Sequence, residues 1–260
     1  DSAWIFVESA QADGWIRANE VVTVDTKTIQ KLKNSEAIIL TQNEVALYDL
    51  MGKVITTGNL GARFSLLKED AYFWHVNIVK RDIYNSAFLE TGMIMKEQAV
   101  RQGIAYSAKN IANYMNKIMG RSYGWGGLYC ERDCSSTIRD IFAPFGLWLP
   151  RNSSKQRTSG KFVKIEKSDL VLKTLKEEAL PYQTLINFEG HVGLYLGEYK
   201  GEPLLFHTLW GLRTFDGEHH GRVVIAKSVV SSLYAGKTLD IEHPNGLLDR
   251  VIGLTYIGIK

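Results

Sequence analysis

The hydrophobic residues of this chain change from strand-like to helical spacing near residue 105, and that change limits the folds available to each half. Before it, apolar residues come in short alternating or β-branched runs: "WIFVE", "GWIRA", "VVTVD", "AIILT", "EVALYD", "KVITTG" and "FWHVNIV". Turn signals at Asp13-Gly14, Gly52 and Gly58-Asn59 separate them at intervals suited to small all-β barrels. After it, "SAKNIANYMNKIM" sets Ile111, Tyr114, Met115, Ile118 and Met119 at helical spacing, with Ser107 as N-cap and Gly120 as stop. A second domain is expected to begin here.

Further on, Ile138, Ile141, Phe142 and Phe145 recur at i, i+3, i+4 and i+7, which predicts an amphipathic helix ending near Gly146 with Cys134 in its first turn. Strand-like runs follow at 191–197, 203–209, 222–226 and 251–259. The second half therefore reads as α+β, helices first and an antiparallel sheet after them.

With 260 residues, 45% hydrophobic and 23% charged, the chain has room for one large domain or two to three small ones. No run approaches the ~18 apolar residues of a membrane-spanning helix. The start "DSAWIFVES" lacks the basic flank and apolar core of a signal peptide, so a signal was either removed or never present. A net charge of +3, evenly spread, does not argue for nucleic acid. Two cysteines exclude a disulfide-stapled scaffold and leave the thiols free for chemistry.

Both cysteines fall in "YGWGGLYCERDCSSTIRDIF", residues 123–142, where a loop of glycines and aromatics runs directly into the predicted helix. A helix N-terminus stabilises a thiolate, and Cys134 has that position. Two other readings stay open on the residues alone: both cysteines are small buried hydrophobes, a role that suits Cys130, or they form a disulfide. Among six histidines, His191 opens one strand-like run and His207 lies inside the next. A turn centred on Tyr199 would set them directly opposite, close enough for one imidazole to orient the other. That is the base-plus-orienter arrangement a cysteine nucleophile requires. Zinc is the rival use of such residues, but no third ligand stands at metal-ligand spacing. His219 and His220 read as exposed loop residues.

Four stretches in order, "YGWGG", "DCSS", "LPRNSSKQ" and "HVGLYLG", resemble the NlpC family of bacterial cell-wall cysteine peptidases over residues 107 to about 225. The resemblance implies a papain-like fold that hydrolyses peptidoglycan stem peptides, commonly between D-γ-glutamate and the following L-diamino acid. It implies Cys134 as nucleophile, His191 as general base and acid, His207 as the residue that orients His191, and Tyr123 as a partner of the Cys134 backbone N–H in stabilising the oxyanion. Asp133, Ser135, Arg151 and Trp125 fall at substrate-binding positions, with Asp133 the expected partner of a substrate ammonium; Arg151 and Gln156 also suit a bracing role. Ser136 departs from the family's usual glycine, with closer crowding of the cleft as the expected consequence.

The amino-terminal half resembles bacterial SH3-like barrels. The expected organisation is the C-terminal part of a first barrel at 1–30, a second barrel at 31–105, and an α+β papain-like peptidase domain at 106–260, with the natural protein extending further toward its N-terminus. The short linker "VRQGIAYS" would keep one barrel near the cleft and favour released stem peptides or muropeptide fragments as substrate. No cofactor, metal or nucleic acid is called for. A monomer in the periplasm or at the cell wall is expected. The competing classes are an acyl- or lipid-transferring thiol enzyme on a permuted papain-like scaffold and a non-catalytic wall-binding module.

Overall fold

The computed structural model describes residues 3–9, 13–165 and 167–258. Residues 10–12, within the first expected barrel, and Ile259, the end of the last strand-like run, lie outside the described residues. Two compact units are distinguished, residues 1–105 with 140–148, and residues 106–139 with 149–260.

The first unit opens with a hairpin of β1 (Trp4–Val7) and β2 (Gly14–Arg17), followed by helix α1 (Thr26–Asn34). Asp25 caps this helix, its Oδ1 accepting the Thr28 N–H at 2.6 Å. The helix is absent from the all-β sequence reading, because Ile29 and Leu32 are its only large apolar residues and make no stripe. "VVTVD", read as a strand, is the extended lead into it. Seven antiparallel strands then form one sheet: β3 (Ala37–Leu40), β4 (Val45–Tyr48), β5 (Val54–Gly58), β6 (Arg63–Glu69), β7 (Phe73–Arg81), β8 (Ala87–Met95) and β9 (Ala99–Arg101). Their order is β5-β4-β8-β7-β6-β3-β9. Ile38, Leu40, Leu47, Val76 and Ile94 form the centre of its core, with the Trp74 indole donating to the Ala99 carbonyl.

The second unit begins with α2 (Ala108–Ile118), capped by Ser107 and followed by Gly120 at φ +76°, as its sequence predicts. The buried side of α2 carries Ile111, Tyr114, Met115 and Ile118. Next come α3 (Cys134–Phe142), whose residues from Asp140 on are grouped with the first unit, the short α4 (Ser153–Gln156), β10 (Lys161–Lys164) and α5 (Ser168–Glu177). Five further strands complete an antiparallel sheet: β11 (Thr184–Phe188), β12 (His191–Tyr199), β13 (Glu202–Phe215), β14 (His220–Ser232) and β15 (Val251–Tyr256). The sheet order is β10-β15-β11-β12-β13-β14. Residues of β11, β12, β13 and β15 close a core with Val171 and Leu175 of α5.

Strands β12 and β13 join through a two-residue turn, Lys200-Gly201, both at positive φ (+52° and +81°), the geometry that matches strand twist. This corrects the turn centred on Tyr199. The register pairs Leu194 with Phe206 and Tyr195 with Leu205, then shifts at a bulge before Gly197. His191 and His207 are therefore not direct cross-strand partners.

Candidate active site

The loop leading to α3 is tied to β14 before it turns. Gly120 N–H donates to the Ser228 carbonyl at 2.8 Å, and Tyr123 N–H to the Ala226 carbonyl at 2.8 Å. The chain then makes a tight excursion with Gly126 and Gly127 at φ +66° and +93°, while a Cβ on Gly124 would stand 2.4 Å from the Leu128 carbonyl. Tyr129 and Cys130 also take positive φ, and Cys130 is an exposed free thiol. The reading of Cys130 as a buried hydrophobe is thus corrected, and no disulfide joins it to Cys134.

Asp133 starts the helix. Its Oδ1 accepts the Ser136 N–H at 3.0 Å, while Ser136 Oγ accepts the Asp133 N–H at 3.0 Å, a reciprocal capping box. Ser136 thus turns its hydroxyl toward the cap, which accounts for a serine here and replaces the expected crowding of the cleft. Arg151 closes the cluster through bonds to both Asp133 oxygens, at 2.9 and 2.5 Å, and to Ser135 Oγ at 2.9 Å. Burial opposes the Asp133 charge, but Arg151 and the Ser136 N–H outweigh it and hold the carboxyl below its usual range. Gln156 braces the same turn, donating to the Ser135 and Pro150 carbonyls at 2.7 and 2.8 Å.

Cys134, the first residue of α3, is 7% exposed and lines a cleft of about 710 Å³. Burial, and then the Asp133 charge, push its thiol up to about 11, against the N–H groups of Val192 and Ser135 that favour the thiolate. The helix start is present as expected, but it does not outweigh desolvation. Val192 follows His191, so the thiol sits at the start of β12.

His191 Nε2 lies 2.9 Å from His207 Nδ1, and His207 Nε2 lies 3.0 Å from Ser231 Oγ. Burial lowers His191 to about 4, with Asp133 acting against it. Burial first, and His191 second, lower His207 well below the usual 6.5. Both rings are therefore neutral at pH 7. A neutral His191 that accepts a proton at Nδ1 carries its own on Nε2 and donates to His207 Nδ1; His207 then donates from Nε2 to Ser231. This tautomer assignment follows from the chemistry of a base at Nδ1.

Of the residues expected at the site, Tyr123, Trp125, Cys134 and His191 line the cleft, and His207 supports His191 from full burial. Asp133 and Ser135 are buried beside Arg151 and are not among the lining residues. Burial, with the Cys134 and Asp133 charges, raises the Tyr123 phenol to about 12, so it stays a neutral donor. Ser231 escaped sequence reasoning because only the long β13–β14 register brings it near His207, by pairing it with Leu205. Gly193 also escaped: a Cβ there would lie 3.4 Å from His207 Cβ and 2.7 Å from Leu205 Cδ1, so its absence leaves room for the two rings to meet. His220, expected in a loop, belongs to β14 and stacks on Phe215 at 4.2 Å. Among the described residues, the one group of three whose ligand atoms gather within 4.8 Å is Asp240, Glu242 and His243, where His243 Nδ1 already meets Asp240 Oδ2 at 3.1 Å.

A cysteine at a helix start and a histidine at the start of a central strand of an antiparallel sheet, both lining one cleft, define a papain-like α+β unit. Residues 120–211 match the NlpC/P60 family model. Its fold is similar to that of an NlpC/P60 endopeptidase from Photobacterium damselae subsp. piscicida, with a TM-score of 0.80 at 22% identity over 98% of this chain and 61% of that one. It is also similar to an NlpC/P60 family protein from Bacillus cereus ATCC 10987, with a TM-score of 0.67 at 18% identity over 99% and 77% of the two chains. This chain thus spans about three-fifths of the length of the Photobacterium protein. No curated protein matches the sequence significantly.

Proposed function

We propose that this protein is a cysteine peptidase of peptidoglycan stem peptides, cutting the bond between D-γ-glutamate and the following L-diamino acid. The observation that carries the reading is the hydrogen-bonded chain from His191 through His207 to Ser231, with His191 and Cys134 lining one cleft large enough for a peptide. His191 Nδ1 takes the Cys134 proton as Sγ attacks the γ-carbonyl carbon. The Cys134 backbone N–H and the Tyr123 hydroxyl stabilise the oxyanion that forms. The tetrahedral species collapses as the leaving amine takes the proton from His191, and a thioester remains on Cys134. Water, deprotonated by His191, then releases the γ-glutamyl product and restores the thiol.

Trp125 offers an exposed ring for the peptide to lie on, while Asp133, Ser135 and Arg151 fix the helix start behind the cleft wall. The β-rich residues 1–105 are read as part of one SH3-like module at 1–30 and a second at 31–105, ahead of the peptidase domain at 106–260. Such an enzyme acts at the cell wall or in the periplasm, on stem peptides or muropeptide fragments. Among the described residues no helix is long and apolar enough to cross a membrane.

Mass spectrometry of products from a defined stem tetrapeptide tests this reading. Wild type should release L-alanyl-D-glutamate and a dipeptide beginning with the diamino acid. Cleavage at another bond, or products from Cys134→Ala at the wild-type rate, would overturn it.

A further inference from the structure

Past residue 211, where the family match ends, the cleft gains three guanidinium groups. Arg213 and Arg222 are direct cross-strand partners on β13 and β14, and Arg250 stands immediately before β15. All three line the cleft that Cys134 and His191 line, as does one acid, Glu189. Like charges placed directly opposite on a sheet are destabilising. Arg250 registers the strain: burial first, and then the Arg213 and Arg222 charges, lower its pKa, with Asp240 acting against them. Arg222 donates to the Gly211 carbonyl at 3.1 Å. Among the described residues no carboxylate oxygen lies within 4.0 Å of any of the three guanidinium groups, and Asp240 acts on Arg250 from further away. Three like charges are thus held around one cavity, with Asp240 the acid that acts on Arg250 and Glu189 the one acid in the cleft lining.

We infer that Arg213, Arg222 and Arg250 form an anion subsite that binds a carboxylate of the peptide substrate, so that the preferred substrate is an acidic peptide. This inference rests on the peptidase reading above. Guanidinium groups present planar pairs of N–H donors that match a carboxylate, and their charge repels a cationic side chain at the same place. A carboxylate entering the cluster relieves the mutual repulsion, which ties substrate binding to a charge count as well as to shape. A stem containing diaminopimelate offers three such groups: the D-glutamate α-carboxylate, the second carboxylate of the diamino acid, and the C-terminus. They share one chemistry, and amidating each in turn identifies the source.

The test is steady-state kinetics on four stem peptides, one with all carboxylates free and three each amidated at one position. The enzymes are wild type, Arg250→Gln and the double variant Arg213→Gln/Arg222→Gln, whose exposed side chains can be changed without disturbing the core. Wild type should show a KM about tenfold higher for one amidated peptide. The variants should raise KM by a similar factor for the peptides that keep that group free, with kcat little changed, and should lose the discrimination. Variants that alter KM equally for all four peptides, or not at all, would overturn the inference while leaving the peptidase reading intact. Calorimetry with an uncleavable analogue, its scissile amide reduced to a methylene amine, separates the two failures. If no stem is hydrolysed, the peptidase reading fails, and the affinity difference between wild type and Arg250→Gln still decides the subsite.

Discussion

His191 Nε2 and His207 Nδ1 meet at 2.9 Å although the two residues are not paired across the sheet. The β12–β13 register, continued from Leu194 and Phe206, puts Gly193 opposite His207, and His191 reaches it diagonally across that gap. The contact between the imidazoles thus depends on a residue that has no side chain.

Gly193→Ala tests that dependence. Its Cβ would enter space held by Leu205 Cδ1, 2.7 Å away in the core, and would crowd His207 Cβ at 3.4 Å. Overpacking of this kind costs about 1–3 kcal/mol. A lowered Tm with kcat reduced more than KM is expected; wild-type kcat would show that the rings do not need the gap.

Ser231 acts on the reaction only through His207, as a positioning residue. Ser231→Ala should reduce kcat about tenfold with KM nearly unchanged, and Ser231→Thr, which keeps the hydroxyl, should recover most of it. His207→Asn should retain measurable turnover, since the amide oxygen can still accept a hydrogen bond from His191 Nε2–H, whereas His191→Ala should not. Equal loss in Ser231→Ala and Ser231→Thr would indicate packing alone.

The half-buried His191 and the fully buried His207 also set a pH dependence of stability. Their folded pKa values lie below the usual 6.5, to about 4 for His191, so below pH 6.5 the unfolded chain binds more protons than the folded one. Their contribution is complete above pH 6.5 and is lost as pH falls toward 4. The Tm of wild type should therefore drop across that window, and the drop should be shallower in His207→Asn. Parallel curves for the two proteins would contradict the assignment.

At the helix start, removing the capping hydroxyl and removing the capping acid should differ in size. Ser136→Ala loses the reciprocal bond to Asp133 and should cost about 1 kcal/mol by chemical denaturation. Asp133→Ala leaves Arg151, its side chain 15% exposed, without its ion partner, and should cost about 3–5 kcal/mol. Similar small losses from both would mean that the cluster is not a joint brace.

Much of this site was legible because its parts are local. The stripe on α2, the Ser107 cap and the position of Cys134 at a helix start each depend on residues within two turns of one another. Less was legible where distant segments decide. The turn at Lys200-Gly201 and the bulge before Gly197 shift a register that a simple index sum places elsewhere. Strands β6, β8, β9, β10 and β11 went unread; β8 is interrupted by Glu90 and Gly92, which blur its alternation. Helix α5 was missed although Val171 and Leu175 sit on one side of it. Arg213, Arg222 and Arg250 share a cleft only because a long hairpin and the start of β15 bring them there. For Cys134, the position at a helix start can be read from sequence, whereas the burial that pushes its thiol up cannot.

Trapping the covalent intermediate tests the central claim most directly. Wild type mixed with a stem tetrapeptide and quenched in acid within the first turnovers should gain the mass of an L-alanyl-γ-D-glutamyl acyl group, and peptide mapping should place it on Cys134. Cys130→Ala should trap the same adduct at the same place, because Cys130 is exposed and outside the cleft lining. Turnover of the peptide with no acyl group on Cys134, or with the group on Cys130, would contradict the account.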